Sequence, residues 1–284
     1  MQPWFIHALV GVVATGGMMA LFKVPTSKGH NKYFYSFLGF LVATLTSLFA
    51  FFDSIHLDYY AMMFSFAWGS GYAILVMLQM ELLRKLDTNA LFPITSISSH
   101  VLVVIIGVSF FHDKISMLQF FGIILTFLVI GLYNKVHKHI TLQNGLLPMV
   151  VGIILISTST KFIQKFGSIT TEIQNFIFWQ LFFSMLASIV ILLITHFKTP
   201  GQRIEVSRKV VLWAVALGVL NFIGTAEITK ALSIGPFSLV FTINSFYTII
   251  TSLVAWKLFG EELTKRKAAF VLVAIFTVIL IGLG

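Results

Sequence analysis

Glu227 and Lys161 are the two residues whose type and placement most invite a chemical reading, because both stand inside long apolar stretches. Ionisable groups within a membrane span cost about 2.5–3.5 kcal/mol on insertion scales and mark functional positions by default. Glu227 sits in Asn221-Phe-Ile-Gly-Thr225-Ala-Glu227-Ile-Thr-Lys230, and Lys161 follows the hydroxyl run Ser157-Thr-Ser-Thr160. A Glu227–Lys161 pair would let each charge lower the other's burial cost, and a carboxylate in such surroundings could carry a proton. The plainer alternative is that Lys161 snorkels to the headgroups while Glu227 only locks helices together. Ser96, Ser99 and His100 share one helical face by i, i+3, i+4 spacing, with Pro93 in the turn before them; Asn244, Tyr247, Thr248 and Thr251 form a second such stripe. Two stripes of hydroxyl, amide and imidazole groups would line a polar cavity, although serine and threonine also serve simply as close-packing residues. Gln79, Trp68, Tyr72 and Asn221 complete the expected solute-binding set, since the rings can stack on a solute and the amides can hydrogen-bond it. Trp179 and Gln180 could stack on or hydrogen-bond a solute in the same way, although aromatics within spans more often pack or anchor at the interface.

Other chemistries find no support. With no cysteine, thiolate nucleophiles, disulfides and thiolate metal sites are excluded. The phosphate-binding G-x-x-x-x-G-K-[ST] loop, the H-E-x-x-H zinc motif and the G-x-S-x-G nucleophile elbow are all missing from the sequence. His137-Lys-His139 reads as a solvated basic loop and not as a metal site, and Asp113 and Glu261/Glu262 read as loop and capping residues. We therefore expect no enzyme activity, no catalytic residues, no metal and no cofactor.

The elements that must position these residues are membrane helices. The 284 residues are 58% hydrophobic and only 10% charged, with 30 Phe and 10 Met, and the mean hydropathy is +0.96. Soluble domains run near 25% charged, so this chain has too little charge to solvate its surface, whereas lipid tolerates outward Leu, Ile and Phe. A span needs about 20 apolar residues. That ruler gives ten candidates, over 4–22, 33–52, 59–83, 89–110, 116–134, 144–162, 172–196, 209–232, 236–256 and 267–283. The first is expected to be a retained helix and not a signal peptide, because it lacks a basic n-region. Loops are too short to fold alone, so 1–284 is expected to be a single all-α integral membrane domain.

The halves resemble each other. Ser109-Phe-Phe-His-Asp-Lys-Ile-Ser116 matches Lys257-Leu-Phe-Gly-Glu-Glu-Leu-Thr264 at an offset of 148 residues, each segment ending in a hydroxyl suited to cap the next helix. The same offset places Ser96 on Asn244, His100 on Thr248 and Gln79 on Glu227. Five helices per copy puts the second copy upside down, which predicts two inverted five-helix repeats, 1–138 and 139–284, with the solute site between them near the midplane. Of the 19 Lys and Arg residues, fifteen fall in loops after odd-numbered spans, so the charge rule puts those loops in the cytoplasm and both termini outside. The formal net charge of +9 is then explained by anionic headgroups and not by nucleic acid.

On these residues the chain resembles the drug/metabolite transporter superfamily in its EamA-like branch. The stretch from Phe111 to Gln119 with the following helix, Gly260-Glu261-Glu262-Leu263-Thr264, and Ala90-Leu-Phe-Pro93-Ile carry the resemblance. The family implies alternating-access transport of small organic solutes through a cavity lined by helices 1, 3, 4, 6, 8 and 9, which supports Gln79, His100, Asn244 and Glu227 as cavity residues. Two departures stand out: His112-Asp113 replaces glycine–glutamate in the first half, and the family implies cytoplasmic termini where the charge count implies external ones. The expected partners are a small-molecule solute and the lipid bilayer, with protons as the candidate coupling ion, in a monomer or homodimer of the cell (inner) membrane. The alternative is a membrane scaffold or receptor that transports nothing.

Overall fold

The computed structural model describes residues 2–27, 31–83, 88–134, 146–198, 207–260 and 265–283, and among them 89% of the structure is helix with no strand. The helices are α1 (Pro3–Leu21), α2 (Lys23–Ser27), α3 (Lys32–Ala50), α4 (Tyr59–Leu82), α5 (Thr88–Ser109), α6 (Met117–Asn134), α7 (Leu147–Thr170), α8 (Ile173–Lys198), α9 (Arg208–Ile234), α10 (Phe237–Asn244), α11 (Tyr247–Phe259) and α12 (Lys265–Leu283). Seven helical stretches among the described residues are long and apolar enough to cross a membrane, with shorter apolar pieces in α5, α6 and α12. Nothing in lipid can satisfy a free backbone group, which is why runs of Leu, Ile, Val and Phe this long close their hydrogen bonds within themselves.

Local chemistry sets the helix starts. Asn31 Oδ1 accepts from the backbone of Tyr33 and Phe34, Asp58 Oδ1 from Tyr60, and Ser207 Oγ from Val210. Ser116 caps α6 as its position suggested: its Oγ accepts from Gln119 N at 3.2 Å while Gln119 Oε1 accepts from Ser116 N at 2.9 Å, a reciprocal capping box. Gly260 ends α11 in the left-handed conformation at φ 69°.

Three expectations change. The sixth span does not end at 162 but runs to Thr170, which brings Gln164 and Lys165 into the helix. The ninth is interrupted, since Ser245 and Phe246 form a turn between α10 and α11. The break expected between 22 and 33 is partly helical, since Pro25 lies in the short helix α2. Ser96 is in α5, but its side chain is outside the described ones, as are residues 137, 139, 261 and 262.

Packing pairs the two parts of the chain throughout. α1 packs on α9 and α7 on α4; α4 packs on α8 and α9 on α3; α1 meets α10 and α11, and α7 meets α5. α3 meets α8, α5 meets α10 and α11, and α6 meets α12. Small residues permit the closest approaches. A Cβ on Gly69 would lie 2.8 Å from both Gln180 O and Ser184 N, so α4 and α8 touch backbone to backbone, and one on Gly224 would lie 3.0 Å from Thr15 Oγ1 of α1.

Candidate functional site

The residues of α4 that face the interior recur at Trp68, Tyr72, Leu75 and Gln79, and those of α9 at Asn221, Gly224, Thr225 and Ile228. Both series follow i, i+3 or i+4, i+7 spacing, which keeps them on one face of each helix. α7 adds Ser157, Thr160, Lys161 and Gln164; α1 adds Thr15, Met18 and Met19; α10 and α11 add Phe241, Asn244 and Tyr247. Together they enclose a central cavity of about 90 Å³. A water molecule needs roughly 10–15 Å³ by such a measure, so the space holds several waters or one small solute.

Its walls are built by identifiable contacts. Tyr72 and Trp68 stack with ring centroids 4.6 Å apart, and Tyr72 Oη donates to Asn221 Oδ1 at 3.2 Å, joining α4 to α9. Lys161 Nζ donates to Ser99 Oγ of α5 at 2.7 Å and lies 5.5 Å from the centre of the Phe241 ring. Gln79 Oε1 and Asn244 Oδ1 are buried without a hydrogen-bond partner among the described residues. Behind the Tyr72–Asn221 contact, Phe22, Ser36, Gly39, Phe40, Val76 and Leu217 frame a second, smaller space between α3, α4 and α9.

One end of the cavity is closed by polar contacts between elements. Gln164 Nε2 donates to Thr229 Oγ1 at 2.8 Å, and Lys165 Nζ donates to the carbonyls of Leu232 at 2.6 Å and Gly235 at 3.0 Å. The carboxylate of Asp113 accepts from Ser238 N at 2.7 Å and Ser238 Oγ at 2.6 Å, capping α10 from the α5–α6 connection. Nearby, the α3–α4 connection is tied to the start of α8 by His56 N donating to Asn175 Oδ1 at 3.2 Å and Trp179 Nε1 donating to His56 O at 3.1 Å.

Of the candidates read from sequence, Trp68, Tyr72, Gln79, Lys161, Asn221, Asn244 and Tyr247 meet at the cavity. Glu227 does not join them, and it does not pair with Lys161. Its Oε2 lies 2.6 Å from His7 Nδ1, and its Oε1 accepts from Lys230 Nζ at 3.0 Å. His100 is buried in α5 outside the cavity lining. Helix α5 contributes to the wall indirectly, through the hydroxyl that Ser99 offers Lys161. Gln180 is buried in α8, and Trp179 is held by the loop. Sequence reasoning missed Thr15, Met18, Phe241, Gln164 and Lys165. The last two were hidden by ending the sixth span too early, although Gln164, Lys165 and Ser168 continue at helical spacing the polar series of Ser157, Thr160 and Lys161. Lys165, which the expected sixth span left in a loop, lies in helix α7. Among the described residues no cluster of His, Asp and Glu could hold a metal ion.

Residues 143–283 match the model of the EamA-like transporter family. Through that half, the chain belongs to the family. The EamA-like family is part of the drug/metabolite transporter superfamily, and its members are membrane transporters of small solutes. Together with the apolar helices, membership identifies the chain as an integral, multi-pass membrane protein. Among curated proteins none matches by sequence. A protein known by its crystal structure, 12% identical, superposes on this EamA-like chain with a TM-score of 0.77, over 98% of each chain, which is a likeness of fold.

Proposed function

We propose that the protein is a secondary transporter that moves a small polar organic solute across the cell (inner) membrane by alternating access of two inverted five-helix halves. The observation that carries this reading is the cavity itself, enclosed by α1 and α4 from one half and by α7, α9, α10 and α11 from the other. Transport needs a site that both halves touch, because only then does rocking one half against the other re-expose the solute.

The helix boundaries support the inverted repeat. Shifted by 148 residues, Tyr59–Leu82 falls on 207–230, against α9 at Arg208–Ile234, and Met117–Asn134 falls on 265–282, against α12 at Lys265–Leu283. The packing obeys the same exchange: α1 on α9 becomes α7 on α4, α4 on α8 becomes α9 on α3, and α6 on α12 maps to itself. The family match begins at 143, close to the expected start of the second repeat at 139. With the charge-rich loops in the cytoplasm, the end closed by Lys165, Asp113 and Gln164 faces outward. Coupling to protons would act at Glu227 and His7, the carboxylate–imidazole contact set 2.6 Å apart between α1 and α9.

The test is solute flux by the purified chain in lipid vesicles. Asn244→Ala and Tyr72→Ala are expected to reduce flux by more than tenfold, and Glu227→Gln to abolish accumulation driven by a pH gradient while exchange continues. Absence of flux for every solute that binds would overturn the reading in favour of a receptor or scaffold.

A further inference from the structure

The electrical balance of the cavity identifies the kind of solute that fits it. Lys161 is the one basic side chain among the described residues that line it, and no Asp, Glu, Arg or His is among them. Three acids of the helices and connections around it have partners of their own. Glu227 faces His7 and Lys230, Glu81 is bonded to Lys32, and Asp113 accepts twice from Ser238. Among the described residues the amine of Lys161 meets neutral partners, the Ser99 hydroxyl and the Phe241 ring. A buried ion held this way is incompletely compensated, and a counter-charge entering the cavity supplies the missing term.

A second observation concerns shape and polarity. Gln79 is 4% and Asn244 7% exposed, and the amide oxygen of each lacks a partner among the described residues, so two buried acceptors await donors at the lining. Beside them the stacked Trp68 and Tyr72 rings offer an apolar wall. Amines are disfavoured here because they would meet Lys161, and a dianion would leave one charge uncompensated in an apolar surround.

We propose that the cavity is an organic-anion site: Lys161 binds the carboxylate of a small, singly charged acid, Gln79 and Asn244 accept from its hydroxyl or amide hydrogens, and Trp68 with Tyr72 packs against its carbon skeleton. This assignment rests on the cavity being the solute site of the transporter reading above.

The test measures thermal stabilisation of the purified full chain by lactate, phenyllactate and hippurate against malate, lactamide and 1-amino-2-propanol, with flux measured in vesicles. The monoacids are expected to raise the melting temperature and the others not. Lys161→Gln should weaken the monoacids by about 10–100-fold, the effect of losing one charge-assisted contact, with partial recovery in Lys161→Arg. Without ligand, Lys161→Gln should melt no lower than the parent, because it removes an incompletely paired buried charge. Should that variant misfold, Asn244→Asp, which sets a carboxylate in the same cavity, is expected to weaken the monoacids by a similar factor. The proposal is overturned if no monoacid stabilises the protein, if the amine or the amide stabilises it equally, or if Lys161→Gln binds monoacids like the parent. Monoacid binding that depends on Lys161 but comes without flux would sink the transport reading and leave this one; flux of an uncharged solute unaffected by Lys161→Gln would do the reverse.

Discussion

His112 and Gly260 stand 148 residues apart, and they are the two residues of the described backbone with clearly positive φ, 54° and 69°. Each ends a helix and turns the chain toward the next, so the left-handed step is a property of the turn and not of the residue that fills it. In the second half glycine makes the step at little cost, whereas in the first a histidine takes it against the steric preference of an L residue.

That asymmetry gives the first prediction. Gly260→Ala forces a Cβ into the left-handed region and is expected to lower stability by about 1 kcal/mol. His112→Gly is expected to be neutral or slightly stabilising, because relief of strain offsets the added freedom of the unfolded chain. Thermal unfolding in detergent compares the two, and an equal loss in both would contradict the shared turn.

Asp113 supplies the second. Its carboxylate receives both hydrogens that Ser238 can offer, and it is the cap of α10 although it comes from another helix pair. Asp113→Ala should cost about 1–3 kcal/mol, the range for stranding a buried donor and losing a cap. It should also open the end of the cavity near Lys165. Labelling of a cysteine placed at Ser238 in a membrane preparation reads that opening directly, since the native chain has no cysteine to compete.

Tyr72→Phe removes only the hydroxyl that bonds Asn221 at 3.2 Å. The expected loss is about 1 kcal/mol, small because Thr225 Oγ1 already lies 3.4 Å from the same amide oxygen. Tyr72→Ala, which also removes the ring stacked on Trp68, should impair solute binding far more. Comparing the two variants by solute-induced melting shift separates the hydroxyl from the ring.

Gly69→Ala tests the contact between α4 and α8. The added methyl would lie 2.8 Å from two backbone atoms of α8, and backbone cannot move aside as a flexible side chain can. A destabilisation of about 1–3 kcal/mol is expected from overpacking. Gly152→Ala, where nothing lies within 4 Å of the new carbon, is the control, and the helix favours it.

The helices were legible because a lipid solvent leaves few alternatives to a long apolar run, and because Asn31, Asp58, Ser116 and Ser207 mark where several begin. The cavity was legible where a polar residue stood among apolar ones, as with Gln79, Asn221 and Asn244. Glu227 shows where that signal fails. It lies on the same helix as Asn221 but not on the Asn221–Gly224–Thr225–Ile228 face, so its carboxylate turns to His7 and Lys230. Periodicity within α9 contained that information; the expected correspondence with Gln79, which does line the cavity, concealed it. Lys165 was obscured differently. Its charge suggested a loop, whereas two carbonyls at the end of α9 supply what water would have given it.

The turn at Ser245 and Phe246 leaves α10 and α11 with separate moorings. α10 is fastened at its start by Asp113, while α11 is stitched to α1 where Thr251 donates to Gly16 O at 3.0 Å. Across the turn the backbone bonds tighten to i→i−3 spacing, Phe246 N donating to Ile243 O at 3.1 Å and Thr248 N to Ser245 O at 3.2 Å, so the joint is one short 3₁₀-like step between two α-helical pieces. Asn244 sits at the elbow, so a change of angle there would carry a solute-contacting amide with it and let occupancy of the cavity be felt at both ends of the chain's most sheltered span.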